Sequence, residues 1–412
     1  MKKINNIRGM YDTFGKELYN HTTIINKFSN VMERHNYYPF STPIMEYSNV
    51  FKRSLGDTSD VVMKEMYTFL DKSNDSVTLR PEGTAGIARA VISNGLTQSL
   101  PLKLYYNGPM FRYERPQKGR MRQFHQIGIE NYNTENFYAD SEIIYLANLL
   151  LKEFKILDKI SLKINTLGDT QSRKNYISKI IQYFAENKYK LSEDSLKRLD
   201  KNPLRILDSK SHQDKEVIKN APIIYDFLTT ESKDYYKNLK IFLSELDIEF
   251  IEEPLLVRGL DYYCHTIFEF TLNEKQNHAI LAGGRYDSLL ENLGGPKISG
   301  TGWAAGIERL GSILKSYEDN NKILLFIPLE ENLLSYCYET RSKIAMLNFK
   351  YDILTNFNLK KALKYANKIK AKYAIILGKD EREKNSLTIK NLETGNQETI
   401  SESKLESYLK NE

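Results

Sequence analysis

The sequence predicts an α+β protein: a large N-terminal unit on a mainly antiparallel sheet flanked by helices and carrying a helical insertion, then a small C-terminal α/β unit. Three observations predict it. Short β-prone runs separated by polar or basic turns fill the first third of the chain. Polar, Lys-rich helical stretches with few strand signals occupy roughly residues 170–247. Compact apolar strands then alternate with helices from residue 322 onward. At 412 residues the chain exceeds one compact domain, and the expected units are 1–320 and 322–412.

Along the N-terminal unit, Ile24, Ile25, Phe28, Val31 and Met32 recur at helical spacing, and Pro39 limits that helix. Residues 40–47 read as extended, with Pro43 inside. The runs 66–70 and 77–80, separated by the polar cluster 71–75, read as a hairpin. Arg80-Pro81-Glu82-Gly83-Thr84 leads into a helix through Ile87, Ala88 and Val91. Strands are expected at 103–106, 109–114 and 123–132, the last two joined by the basic loop 115–122. After the helical stretch, strand signals return at 254–257, 266–272 and 279–282, and 300–309 reads as a strand turning into a helix. The polar segment 317–321 reads as a linker. Beyond it, strands at 322–328, 351–355 and 373–377 alternate with helices around 333–347 and 359–369, a βαβαβ pattern with crossover-linked parallel strands.

Composition narrows the function classes. Hydrophobic residues at 41% and charged residues at 27% fit a globular chain with a mixed surface. A net charge of +6, from 59 basic and 53 acidic residues, permits contact with a polyanion without requiring it. Cys264 and Cys337 are distant and lack a Cys/His cluster at ligand spacing, which argues against a disulfide framework or a structural zinc site. The basic start has no following apolar region, and no apolar run is long enough to span a bilayer, so a cytoplasmic protein without membrane association is expected.

Polar residues at strand positions mark the candidate site. The two-residue period of 123–132 puts Phe124, Gln126, Gly128 and Glu130 on one face. On 109–114, Met110, Arg112 and Glu114 share a face, so Arg112 is expected near Gln126 and Glu130 across the ladder. Such a group suits an anionic, hydrogen-bonding substrate; an internal Arg112–Glu130 salt bridge is the competing reading. Arg258 and Gly259 precede Tyr262 and Tyr263, as ligand groups or as a strand end with an ion pair. Glycine-rich stretches at 282–287 and 300–309 allow close backbone approach by a ligand, although GxxxxGK[ST] is absent. Cys264 and His265 are neighbours pointing apart on a strand, not a nucleophile pair. Catalysis by positioned cations fits the inventory best.

These residues resemble, over the whole chain, the histidyl-tRNA synthetase family of class II aminoacyl-tRNA ligases, in its bacterial form. The segment around Pro43 is similar to the first class motif, Phe111-Arg112-Tyr113-Glu114 through Glu130 to the second, and 300–310 to the third. Leu256-Val257-Arg258-Gly259-Leu260-Asp261-Tyr262-Tyr263 resembles the stretch that sets the histidine enzyme apart, and Thr78-Leu79-Arg80-Pro81-Glu82-Gly83-Thr84 is also similar. Residues 378–381 and 390–395 look like the family's anticodon-binding domain. Cys264-His265 and Trp303 stand where other residues are common.

The resemblance implies a class II catalytic domain, activation of L-histidine with ATP, and transfer of the histidyl group to the 3'-terminal ribose of tRNA(His). It implies that Arg112 and Arg258 are catalytic, contacting the α-phosphate and the substrate carboxylate from two sides. Glu82, Thr84 and Gln126 are implied to hold the ammonium group, and Glu130 and Tyr263, with Tyr262 beside them, the imidazole. Phe124 and Arg309 are implied to sandwich the adenine, and Glu114 and Arg120 to contact ATP. Mg²⁺ is expected with the ATP phosphates and no metal site of the protein's own; the loop 115–122 is expected along the acceptor stem, and the Pro43 segment in a homodimer interface. One rival is a non-catalytic, histidine-sensing regulatory paralogue of ATP phosphoribosyltransferase. Such proteins usually lack the tRNA-binding C-terminal domain, which this sequence has.

Overall fold

The structure is a computed structural model that describes residues 3–56, 59–117, 119–132, 135–273, 279–314 and 322–410. The chain divides into two compact units, Met1–Tyr317 and Glu318–Glu412. The expected linker 317–321 lies outside the described residues, as does Lys118 of the basic loop.

The first unit opens with helix α1 (Gly15–Arg34), which buries Ile24, Phe28, Val31 and Met32 along one stripe. Strands β1 (Tyr38–Pro39) and β2 (Met45–Tyr47), helix α2 (Ser48–Leu55) and the hairpin β3 (Tyr67–Leu70)–β4 (Ser76–Leu79) follow. Then come α3 (Thr84–Ser93), β5 (Leu102–Phe111), β6 (Gln123–Tyr132), α4 (Phe137–Glu153) and β7 (Ile160–Thr166). Helices α5 (Thr170–Glu186), α6 (Glu193–Leu199), α7 (His212–Ile218) and α8 (Thr230–Glu245) form the helical stretch. Strands β8 (Ile251–Glu252), β9 (Cys264–Leu272) and β10 (Ala279–Arg285), helix α9 (Leu289–Asn292), β11 (Gly300–Gly306) and α10 (Ile307–Gly311) complete the unit.

The main sheet runs β1-β5-β6-β11-β10-β9-β7-β8. Its middle is antiparallel throughout; only the two-residue edge strands β1 and β8 add in parallel. Strand alternation divides its faces. Ile127, Ile129, Phe268, Phe270, Trp303 and Ala305 enter one core with α1, α4 and α8. Leu104, Tyr106, Tyr132 and Ile267 turn to the opposite face, against α2, α3 and the helical stretch, and that face carries the site. Helix α8 packs Tyr236, Leu239 and Leu243 into the first core, so the last helix of the expected insertion is a layer of the main body.

Several expectations need correction. The strands expected at 103–106 and 109–114 are one strand, β5, ending at Phe111. Pro109 does not break it because its carbonyl faces away from the β6 ladder, where it accepts Arg80 Nε at 2.9 Å, so its missing N–H costs no ladder bond. The run 254–257 is a turn, not a strand, with Leu256 N–H bonding Glu253 O. Strand β7 and helix α4 were not foreseen.

The second unit holds β12 (Lys322–Pro328), α11 (Leu334–Lys343), β13 (Phe349–Ile353), α12 (Leu359–Lys368), β14 (Tyr373–Leu377), α13 (Lys379–Glu383), β15 (Ser386–Asn391), β16 (Gln397–Ser401) and α14 (Leu405–Lys410). Its sheet order is β13-β12-β14-β15-β16. The first three strands are parallel, as crossover helices require, and β15 and β16 add as an unforeseen antiparallel pair.

Candidate active site

A cleft lies on the site face of the main sheet. Its walls come from neighbouring strands and the turns around them. Strand β6 supplies Phe124 and Gln126, the start of α3 supplies Glu82 and Thr84, and the turn before β9 supplies Arg258, Tyr262 and Tyr263. Glu114 and Arg120 come from the hairpin neck, and Glu308 and Arg309 from α10.

Arg112 is not where strand pairing was expected to put it. Met110 pairs with Phe124, Gly108 with Gln126 and Leu104 with Glu130, so Arg112 lies past the strand end, at the opposite end of the ladder from Glu130. Its N–H bonds Arg122 O at 3.0 Å, closing the hairpin neck, and Nε donates to Pro81 O at 2.8 Å. The guanidinium stands 5.4 Å from the Phe124 ring centre and lines the cleft. The competing Arg112–Glu130 salt bridge is therefore not formed. Arg258 pairs with Glu269, a carboxylate on the site face of β9, and lies 6.0 Å from the Tyr263 ring. Arg309 ties the hairpin tip to β10, donating to Gly119 O at 3.2 Å and Ala279 O at 2.8 Å. Arg120 pairs with Glu114 at 3.2 Å. Burial, with Arg120 and Arg112 nearby, holds the Arg309 guanidinium below its usual value, the mark of an electropositive wall suited to an anion.

The opposite wall is rich in acceptors. Glu82 is buried at the start of α3, where its oxygens accept the N–H groups of Thr84 at 2.9 Å and Ala85 at 2.8 Å. Burial raises its carboxyl, and those two amides oppose the rise. The Gln126 side-chain oxygen is buried without a hydrogen-bond partner. A buried acceptor left open costs of order 1–3 kcal/mol, a cost that a bound donor removes.

Glu130 sits one layer behind the cleft, fully buried, and does not line it directly. It accepts the Thr84 hydroxyl at 2.7 Å and the Tyr286 hydroxyl. Tyr262 and Tyr263, ring centres 4.5 Å apart, pack with Tyr286 around it. Burial pushes the Glu130 carboxyl up to about 8; the two hydroxyls oppose that shift, and Glu82 adds to it. Relative to an ordinary value of 4.5, the folded state binds this proton more tightly than the unfolded chain. Wild-type stability should therefore fall relative to Glu130→Gln as pH rises from about 4.5 to about 8, with the difference level above that range. Denaturant unfolding of both proteins across that range checks it; a pH-independent difference would contradict it.

The glycine-rich stretches line the cleft through Ala282 and Gly306, and Gly302 has a further role. A Cβ at Gly302 would strike Glu130 and lie 2.7 Å from the Tyr286 hydroxyl, so this glycine makes room for a buried polar group. Tyr286, Glu269 and Glu308 escaped the sequence reading. Glu269 carried a signal, as an acidic residue between Phe268 and Phe270 in a strand-forming run.

Comparison with known proteins follows this geometry. The histidyl-tRNA synthetase family model matches residues 9–310, and the anticodon binding domain model matches residues 324–412. A histidine–tRNA ligase of Rhodospirillum rubrum is 44% identical over 415 residues, 99% of each chain. That of Rickettsia bellii is 43% identical over 411 residues, again 99% of each. Among solved structures, apo histidyl-tRNA synthetase of S. aureus superposes with a TM-score of 0.81 at 34% identity, covering 99% of this chain and 100% of its own. A Bacillus halodurans protein titled ATP phosphoribosyltransferase regulatory subunit/histidyl-tRNA synthetase shares the fold, with a TM-score of 0.65 at 19% identity, over 89% of this chain and 97% of its own.

Proposed function

The chain belongs to the histidyl-tRNA synthetase family, and from that premise we infer how the cleft works as the active site of an ATP-dependent histidine–tRNA ligase. The observation that carries the assignment of residues is the unpartnered buried oxygen of Gln126, in a cleft also lined by Arg112 and Arg258. Gln126 and Glu82 offer acceptors to a substrate ammonium group; the arginines offer donors to a carboxylate and a phosphate.

In the first step the histidine carboxylate attacks the α-phosphorus of ATP, and pyrophosphate leaves with the electron pair of the broken P–O bond. The nucleophile is already ionised, so positioning and charge stabilisation carry the step and no general base is needed. Arg112 and Arg258 hold the α-phosphate and carboxylate from two sides, as forked guanidinium groups can. Adenine stacks on Phe124 and is closed over by Arg309. Arg120 and Glu114 lie toward the outer phosphates, and ATP enters with Mg²⁺, which offsets phosphate charge. Thr84 and Gln126 orient the ammonium group with Glu82. Tyr263 and Glu130 take the two imidazole nitrogens, Tyr262 packing beside them, and Glu130 becomes reachable when Thr84 gives up its bond. Two buried polar partners for the imidazole reject apolar amino acids.

In the second step a hydroxyl of the terminal ribose of tRNA(His) attacks the acyl carbon and AMP departs. The loop 115–122 lies along the acceptor stem, and the C-terminal unit takes the anticodon. Transfer of labelled histidine to intact tRNA, but not to tRNA with its terminal ribose oxidised by periodate, is the expected result; equal labelling of both would overturn this step. The regulatory-paralogue reading is not favoured, given the 44% identity to a histidine–tRNA ligase along the full chain and the anticodon-binding match. No helix among the described residues is long and apolar enough to cross a membrane.

The protein works as a homodimer in this reading. Large apolar groups are exposed on the small β2-β4-β3 sheet, with Tyr47 62% and Leu70 65% exposed, together with Met45 and Phe69, and Tyr38 on β1 is exposed as well. Such a patch suits a protein interface. Tyr47→Asp combined with Leu70→Asp should turn a dimer into a monomer in sedimentation velocity; a wild type that sediments as a monomer would contradict it.

A further inference from the structure

Three side chains from separate elements converge beside the α10 end of the cleft: His21 on α1, His125 on β6 and Glu308 on α10. One donor atom of each lies within 4.8 Å of the others. Glu308 is 2.8 Å from His125 Nδ1, and its oxygens also accept the His125 backbone N–H at 2.9 and 3.0 Å. The His21 ring is 6.0 Å from the His125 ring and tilted by 55°, so the two converge without stacking. His21 is buried, whereas the His125 side chain is 34% exposed and leaves an approach from solvent. Glu17, one turn before His21 on α1, adds its negative field.

We propose that His21, His125 and Glu308 bind a divalent transition ion of the zinc class. Two imidazoles and one carboxylate are a ligand set that such borderline ions accept, with a fourth position left to water. Harder ions such as Mg²⁺ prefer all-oxygen shells. Ligand atoms about 2.0–2.1 Å from a tetrahedral zinc lie roughly 3.4 Å from one another. Closing the trio takes side-chain rotations of about an ångström, which the partly exposed His125 can supply. A purely structural clamp explains why Glu308 holds His125 but not why a second imidazole is buried beside that pair. The ligands come from positions 21, 125 and 308, so no local spacing in the sequence could reveal them.

Glu308 also lines the cleft, and Arg309 follows it. An ion that draws the carboxylate from the His125 N–H shifts this wall, so the ion weakens nucleoside binding. That coupling rests on the nucleotide site proposed above; ion binding itself does not.

The test is Zn²⁺ calorimetry and Co²⁺ absorption spectroscopy on chelator-treated full-length protein. One equivalent should bind, with an intense tetrahedral Co²⁺ band. His21→Asn and His125→Asn should each weaken binding by more than about tenfold, the lower bound for losing even an outer-shell partner. His212→Asn, at an exposed position, should leave binding unchanged. Histidine-dependent pyrophosphate exchange with excess Mg²⁺ and a zinc-selective chelator, retained by His21→Asn, establishes that this variant is folded. No Co²⁺ band in the wild type, or wild-type affinity in folded His21→Asn, overturns the site. For the coupling, Zn²⁺ should weaken the binding of adenosine, a probe without chelating phosphates, in the wild type alone. Unchanged adenosine affinity overturns the coupling and leaves the ion site standing on its own test.

Discussion

Replacing Arg258 by alanine is expected to lower the histidine-dependent ATP–pyrophosphate exchange rate by about 10²–10³-fold, the loss of roughly 2.7–4 kcal/mol that follows removal of one preorganised donor at a developing charge. Arg258 is held by Glu269 beneath the cleft, and its Nε is buried without a partner, so the group is aimed before substrate arrives. Arg258→Lys keeps the charge but loses the planar fork, and should fall between the wild type and alanine. Because alanine leaves Glu269 without its ion-pair partner, Arg258→Ala combined with Glu269→Gln separates folding from chemistry. That pair should regain stability in denaturant unfolding but not exchange activity. An exchange rate within a few-fold of the wild type in Arg258→Ala would remove this residue from the mechanism.

Arg285→Met should cost about 3–5 kcal/mol of stability, the usual consequence of stranding one member of a buried ion pair. Both Arg285 and Asp140 are fully buried. Arg285 grips Asp140 with two bonds, Nη2 at 2.8 Å and Nε at 3.2 Å, and donates to Asn136 O at 2.9 Å and Asp287 at 3.1 Å. In the variant, Asp140 keeps the Tyr235 hydroxyl at 2.9 Å but loses its counter-charge. Adding Asp140→Asn removes the stranded charge and should restore more than half of the loss. Urea unfolding of the single and double variants measures both quantities. A single-variant loss under about 1 kcal/mol would mean that water or local rearrangement satisfies Asp140.

The candidate site is only partly legible in one dimension. The two-residue alternation of 123–132 marked Gln126 and Glu130 because polar groups on a core-facing strand face are conspicuous in one dimension. It could not show that Glu130 is shielded by Thr84 and Tyr286, since those positions meet only through the fold. Alternation gives the face of Arg112 but not its rung: the register that pairs Met110 with Phe124 carries Arg112 to Arg122, away from Gln126 and Glu130. That register is set at the hairpin neck, where the Arg112 N–H bonds Arg122 O. The C-terminal crossover pattern was legible from compact apolar runs. The β15–β16 pair was not, because β16 is largely exposed and carries little apolar signal. Glu308 lies 183 residues from His125, and only the approach of α10 to β6 shows it clasping that residue.

ATP–pyrophosphate exchange, run with each amino acid separately and without tRNA, tests the central claim most directly. Exchange that appears with histidine and with no other amino acid is the result this account predicts. Histidine binding without exchange would contradict it and return the chain to a sensing role, and exchange supported equally by other amino acids would contradict the imidazole contacts assigned to Tyr263 and Glu130.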